Sequence, residues 1–100
     1  MYVVIFRATI KQLDEQYLQM AARMRELALT QFGCIEFNAV SEGQQEVALS
    51  YWPDEQSIMS WREHPEHKIA QQLGKLRWYQ DYSVQVAKVE RHYASKGAAE

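Results

Sequence analysis

Cysteine is nearly absent from this 100-residue chain, and the single thiol, Cys34, excludes an internal disulfide. A chain that does without disulfides fits a reducing, cytoplasmic setting. Glycine and proline are also scarce, four and two residues, and no glycine-rich phosphate loop, G-x-G-x-x-G or G-x-S-x-G motif is present. Nucleotide cofactors and serine-hydrolase chemistry are therefore not expected. Eleven basic against thirteen acidic residues give a formal net charge of -2, with no basic field to attract nucleic acid. No apolar run, Val3 to Phe6 included, approaches the roughly 20 residues that span a bilayer. No basic leader precedes that run, so no signal peptide is expected. Internal repeats are lacking too. The length fits one domain, 1–94, followed by a frayed polar tail, 95–100.

Apolar residues are plentiful, and their spacing sets the fold. Tyr2 to Thr9 reads as a strand rich in Val, Ile and aromatics with both faces apolar. Asp14 is a plausible cap for an amphipathic helix whose inner stripe is Leu13, Tyr17, Met20, Ala21, Met24, Leu27 and Ala28, with Gly33 as its stop. Cys34–Ser41 and Glu46–Trp52 read as an antiparallel hairpin across a turn at residues 42–45. Asp54 caps a short helix over 55–63. His64–Pro65 starts another to about Arg77, with Ile69, Ala70, Leu73 and Leu76 inward and Gly74 weakening the last turn by about 1 kcal/mol relative to alanine. Tyr82–Tyr93 is the last strand, with a phase slip at Ala87–Val89 read as a bulge. The order β-α-β-β-α-β predicts an α+β, ferredoxin-like fold with a four-stranded antiparallel sheet. Helices cover one sheet face. The other offers apolar residues too, and a second copy is the simplest cover, giving a two-fold homodimer.

The chemistry concentrates between residues 50 and 79, which hold all three tryptophans and two of the three histidines. Trp52, Trp61, Trp78, Tyr79 and Tyr82 are core residues or the flat apolar walls of a site for a planar ligand. His64 and His67, beside Glu63 and Glu66, have a spacing that permits metal ligation. His64 is the expected cap before Pro65, however, and no metal site is expected. Cys34 reads as a small buried hydrophobe. Arg7 is a lone charge in an apolar strand. With Val3 and Ile5 facing the helices it would point the same way, either to a rim carboxylate or to an anionic or carbonyl-bearing ligand.

Tyr51-Trp52, Trp61-Arg62, Glu66-His67, Ala70-Gln71, Gly74, Trp78-Tyr79, Tyr82 and Val86–Arg91 together resemble the antibiotic biosynthesis monooxygenase superfamily of dimeric α+β-barrel proteins. The resemblance spans nearly the whole chain. It implies a cofactor-independent monooxygenase that oxidises a small aromatic, hydroquinone or polyketide-like compound with O2. On that reading Trp61 is a pocket wall and hydrogen-bond donor, His67 the base and Arg7 the stabiliser of an oxyanion. Ser57, Trp52, Trp78, Tyr82 and Gln71 complete the substrate site. The alternative is a non-catalytic dimer that holds a small hydrophobic molecule. Haem degradation comes third. Members with that activity carry an asparagine on the first strand and an iron-binding histidine ten residues after the tryptophan, where this chain has Arg7 and Gln71.

Overall fold

The structure, a computed structural model, describes residues 1–96. Four strands, β1 (Tyr2–Ile10), β2 (Glu36–Glu42), β3 (Gln45–Trp52) and β4 (Tyr79–Lys88), form one antiparallel sheet in the order β2-β3-β1-β4. Three helices, α1 (Glu15–Gln31), α2 (Glu55–Arg62) and α3 (Pro65–Leu73), pack on it, and a π-helical turn, Gly74–Trp78, leads from α3 into β4. This is the ferredoxin-like α+β order that the periodicity predicts. Each helix begins where a side chain takes up a free backbone N–H. Asp14 accepts from the Tyr17 amide at 2.8 Å and Asp54 from the Ser57 amide at 2.8 Å. His64 caps α3, its Nδ1 accepting from the Glu66 amide at 3.1 Å. Gly33, with φ +78°, supplies the left-handed turn after α1.

The last strand differs from expectation at both ends. It starts at Tyr79, which pairs with Ile10, and its register slip lies opposite Thr9/Ile10 rather than at Ala87–Val89. The π-helical turn ends α3 early and carries the chain straight into the sheet, so β4 begins at Tyr79 and not at Tyr82. Leu76, within that turn and expected inward, is 75% exposed; Ile69, upstream of it in α3 and also expected inward, is 48% exposed, and α3 has no fully buried residue. Met24, Leu27 and Ala28 of the α1 stripe are buried, whereas Leu13 precedes the helix and is exposed. The tail expected over 95–100 lies outside the described residues beyond Lys96.

The core fills one end of the space between helices and sheet. Val4, Met24, Leu27, Ala28, Cys34, Trp52, Ile58 and Trp61 form it. Val4 and Ala8 are the buried residues of β1, so the even positions of that strand face the helices. Val3, Ile5 and Arg7 face away, beside Tyr51, Leu49 and Val47 of β3 in register. Val40 of β2 lies next to Val47 and is 69% exposed. The uncovered face is thus apolar at its centre. Among the described residues no helix is long and apolar enough to cross a membrane.

Candidate functional site

The other end of the interlayer space is a cavity of about 380 Å³. Small side chains open it. Ala39 and Ala48 lie side by side on the sheet floor, and Ala21, Ala22, Ala70 and Gly74 line the helical roof. The roof is fastened at both ends. Arg23 Nε donates to Glu66 at 2.7 Å, tying α1 to α3. At the far end Asp14 takes Arg77 at 2.6 Å and the Trp78 Nε1 proton at 3.1 Å. The backbone bond from Tyr17 and these two partners hold the Asp14 carboxyl below its ordinary range.

Trp61, His67, Gln71, Trp78 and Tyr82 all line this cavity. Trp61 presents its ring edge-on to the His67 imidazole, with centroids 4.4 Å apart. Its Nε1 donates to the Met24 carbonyl at 3.1 Å, so the donor role expected of Trp61 toward a ligand does not hold. Trp61 is a wall. His67 is pushed down to about 4 by burial, with the Arg62 charge adding to the effect. It is therefore neutral at pH 7, and its buried Nδ1 has no hydrogen-bond partner among the described residues.

Three expected site residues lie elsewhere. Arg7 is exposed on the opposite sheet face, because Val4 and Ala8, not Val3 and Ile5, face the helices. Trp52 is fully buried behind Trp61, at 5.1 Å between centroids, and donates from Nε1 to Ser50 Oγ at 2.8 Å. It supports the wall without forming it. Ser57 sits in the first turn of α2, engaged with Asp54 and outside the cavity lining. Cys34 is buried, and burial pushes its thiol up, which makes it a poor nucleophile.

Residues 1–73 match the sequence profile of the family described as antibiotic biosynthesis monooxygenase. The chain belongs to that family. It is 38% identical to the uncharacterised protein YqjZ of Bacillus subtilis over 91 residues, 90% of this chain and 80% of that protein. It is 33% identical to a jasmonate monooxygenase of Pyricularia oryzae over 89% of its own length but only 43% of that protein's. The chain thus spans less than half of the latter relative. Among solved structures, SnoaB, a cofactor-independent oxygenase from Streptomyces nogalater, superposes with a TM-score of 0.78 at 12% identity, covering 94% of this chain and 97% of SnoaB. A conserved protein from Methanosarcina mazei Go1 gives 0.75 at 16% identity, covering 87% and 90%. At such identities the likeness is one of fold.

The polar end of the cavity is not apparent from motifs. Glu46, 8% exposed, accepts from both the Tyr17 hydroxyl and, at 2.8 Å, the Tyr79 hydroxyl. Burial, together with the Glu46 charge, pushes both phenols far above their ordinary value. They stay protonated and keep donating. Aromatic contacts set the rings: Tyr79 lies 5.3 Å from Phe6, and Tyr17 meets Trp78 edge-on at 5.3 Å. Helical spacing marks Tyr17 only as part of a buried stripe, and Tyr79 only as an aromatic wall. The usable signal was β3's alternation, in which Glu46, Ala48 and Ser50 share the face opposite Val47, Leu49 and Tyr51.

Proposed function

We propose that the protein is a cofactor-independent monooxygenase acting on a small, flat, electron-rich compound of the aromatic, hydroquinone or polyketide kind. The observation that carries this reading is the cavity, walled by Trp61, Trp78, Phe6 and Tyr82, with the neutral imidazole of His67 inside it. For an anthrone-type methylene the chemistry balances without a cofactor. A base removes a proton, and the carbanion passes one electron to O2. The two radicals combine into a C–O bond, and the hydroperoxide loses water to leave a carbonyl. One O2 is consumed per methylene, one oxygen atom entering the product and the other leaving as water. The protein's part is to orient the substrate and take the proton. His67 is the candidate base. Its neutral state at pH 7 leaves it free to accept, and an anion formed beside it would stabilise the imidazolium.

The reading includes a homodimer, in which a second copy covers the apolar face of Val3, Ile5, Val47 and Leu49, and a cytoplasmic setting. A second reading, a non-catalytic dimer that holds a small hydrophobic molecule, is favoured by one observation. Two of the three groups expected to act on substrate, Arg7 and the Trp61 N–H, are turned away or occupied. Haem degradation is the poorest fit, because the position ten residues after Trp61 is Gln71, whose amide is not an axial iron ligand.

Oxygen consumption with a panel of anthrones and hydroquinones tests the proposal. Uptake above spontaneous autoxidation in the wild type, lost in folded His67→Ala or Trp61→Phe, supports the oxygenase. Background rates across the panel, with a small molecule co-purifying, support the binding protein instead.

A further inference from the structure

The cavity has two unlike ends. Trp61 is 6.1 Å from Phe37, which pairs with Ser50, so Trp61 and His67 stand over the Ser50 end of β3. Glu46 lies four residues along the same strand, about 13 Å away. At the Trp61 end the lining includes Arg25, next to the Met24 carbonyl that Trp61 engages, and Arg62, next to Trp61 itself. Both arginines are exposed at the mouth and make no ion pair among the described residues. At the far end both Tyr17 and Tyr79 direct their hydroxyl protons at Glu46. A carboxylate offers about four lone-pair directions, and each phenol oxygen keeps acceptor capacity. That end therefore presents acceptors and negative charge, with no phenol proton left to donate.

We propose that this polarity selects and orients the ligand: a flat monocarboxylate with a hydrogen-bond donor at its far end, its carboxylate facing Arg25 and Arg62 and its hydroxyl on Glu46. The inference rests on the cavity being the ligand site of the preceding reading. It makes Glu46 a specificity-determining residue. A ligand hydroxyl there gains a charge-assisted bond. A second carboxylate there would sit against Glu46 without a donor and would be rejected.

Titration calorimetry of the full chain with four naphthalene probes, the disubstituted ones carrying their groups at opposite ends of the ring system, tests this. The probes are a hydroxynaphthoate, the plain naphthoate, a naphthalene dicarboxylate and a dihydroxynaphthalene. The hydroxynaphthoate is expected to bind about tenfold more tightly than the naphthoate, with the dicarboxylate weaker than either. Glu46→Gln, whose amide can donate, should bring the dicarboxylate level with the hydroxynaphthoate. Should that variant fail to fold, the double variant Arg25→Gln/Arg62→Gln, confined to exposed residues, decides. It should weaken both monocarboxylates about tenfold and leave the dihydroxynaphthalene unchanged. Equal affinity of wild type for dicarboxylate and hydroxynaphthoate overturns the proposal. So does a double variant that weakens the dihydroxynaphthalene as much as the naphthoate, or a wild type that binds none of the four. Oxygen uptake is read separately. The expected ranking without any uptake supports the polarity and contradicts the oxygenase, whereas uptake without the ranking contradicts the polarity alone.

Discussion

A histidine among apolar and cationic neighbours is a different reagent from a histidine in water, and His67 is such a case. Burial and the nearby Arg62 charge lower it to about 4 from its ordinary 6.5. The unfolded chain therefore binds a proton that the folded chain refuses between those values. Its contribution to stability is fully present above about pH 6.5 and is lost as pH falls toward 4, by about 3 kcal/mol at most. Urea unfolding between pH 7 and 4 should show this decline, and His67→Gln should flatten it. An equal slope in both proteins would contradict the burial of a neutral imidazole. That Trp61 and His67 belong to one segment around the Pro65 break was readable in the sequence, and the two rings do meet. The engagement of the Trp61 N–H with Met24 was not, because a carbonyl 37 residues away in sequence leaves no trace in local pattern. Arg7 failed for a related reason. With both faces of β1 apolar, alternation cannot say which one the helices cover.

The element that most shapes the site is the π-helical turn Gly74–Trp78, a kind of irregularity frequent at functional sites. By helix propensity alone Gly74→Ala should stabilise, but Gly74 is buried and a Cβ there would meet the Tyr79 ring at 3.1 and 3.2 Å. That ring cannot retreat easily, since Glu46 holds its hydroxyl and Phe6 and Tyr82 flank it. Crowding should outweigh the propensity gain, leaving Gly74→Ala less stable by about 1 kcal/mol in urea unfolding. A stabilised variant would contradict the packing of Tyr79. The caps Asp14, Asp54 and His64 were legible because each is a local pattern. The π-helical turn was not, since nothing in Gly-Lys-Leu-Arg-Trp distinguishes an extra residue per turn from a continuing α-helix. The start of β4 and the exposure of Leu76 were misjudged with it.

For the whole molecule, one sheet separates two apolar surfaces with different fates. On the helical side the alanines at 21, 22, 39, 48 and 70 leave a void in place of a full core. Single small residues carry no period, so the sequence did not disclose the cavity they form together. On the other side Ile5 pairs with Leu49 and Val3 with Tyr51, the apolar patch that a second copy covers in the proposed dimer. Leu49→Glu should turn a dimer into a monomer in sedimentation velocity at micromolar concentration. A wild type that already sediments as a monomer would contradict the proposed cover.

On the proposed function, oxygen chemistry takes place in the void between helices and sheet. Ala48 lies on its floor, paired with Phe6 on one side and Ala39 on the other, and Ala48→Phe would fill the space while leaving Glu46, His67 and Trp61 themselves unchanged. Oxygen consumption with an anthrone or hydroquinone substrate, corrected for autoxidation, should exceed background in the wild type and fall to it in the Ala48→Phe protein with its circular dichroism intact. Equal rates in the two folded proteins would contradict the account.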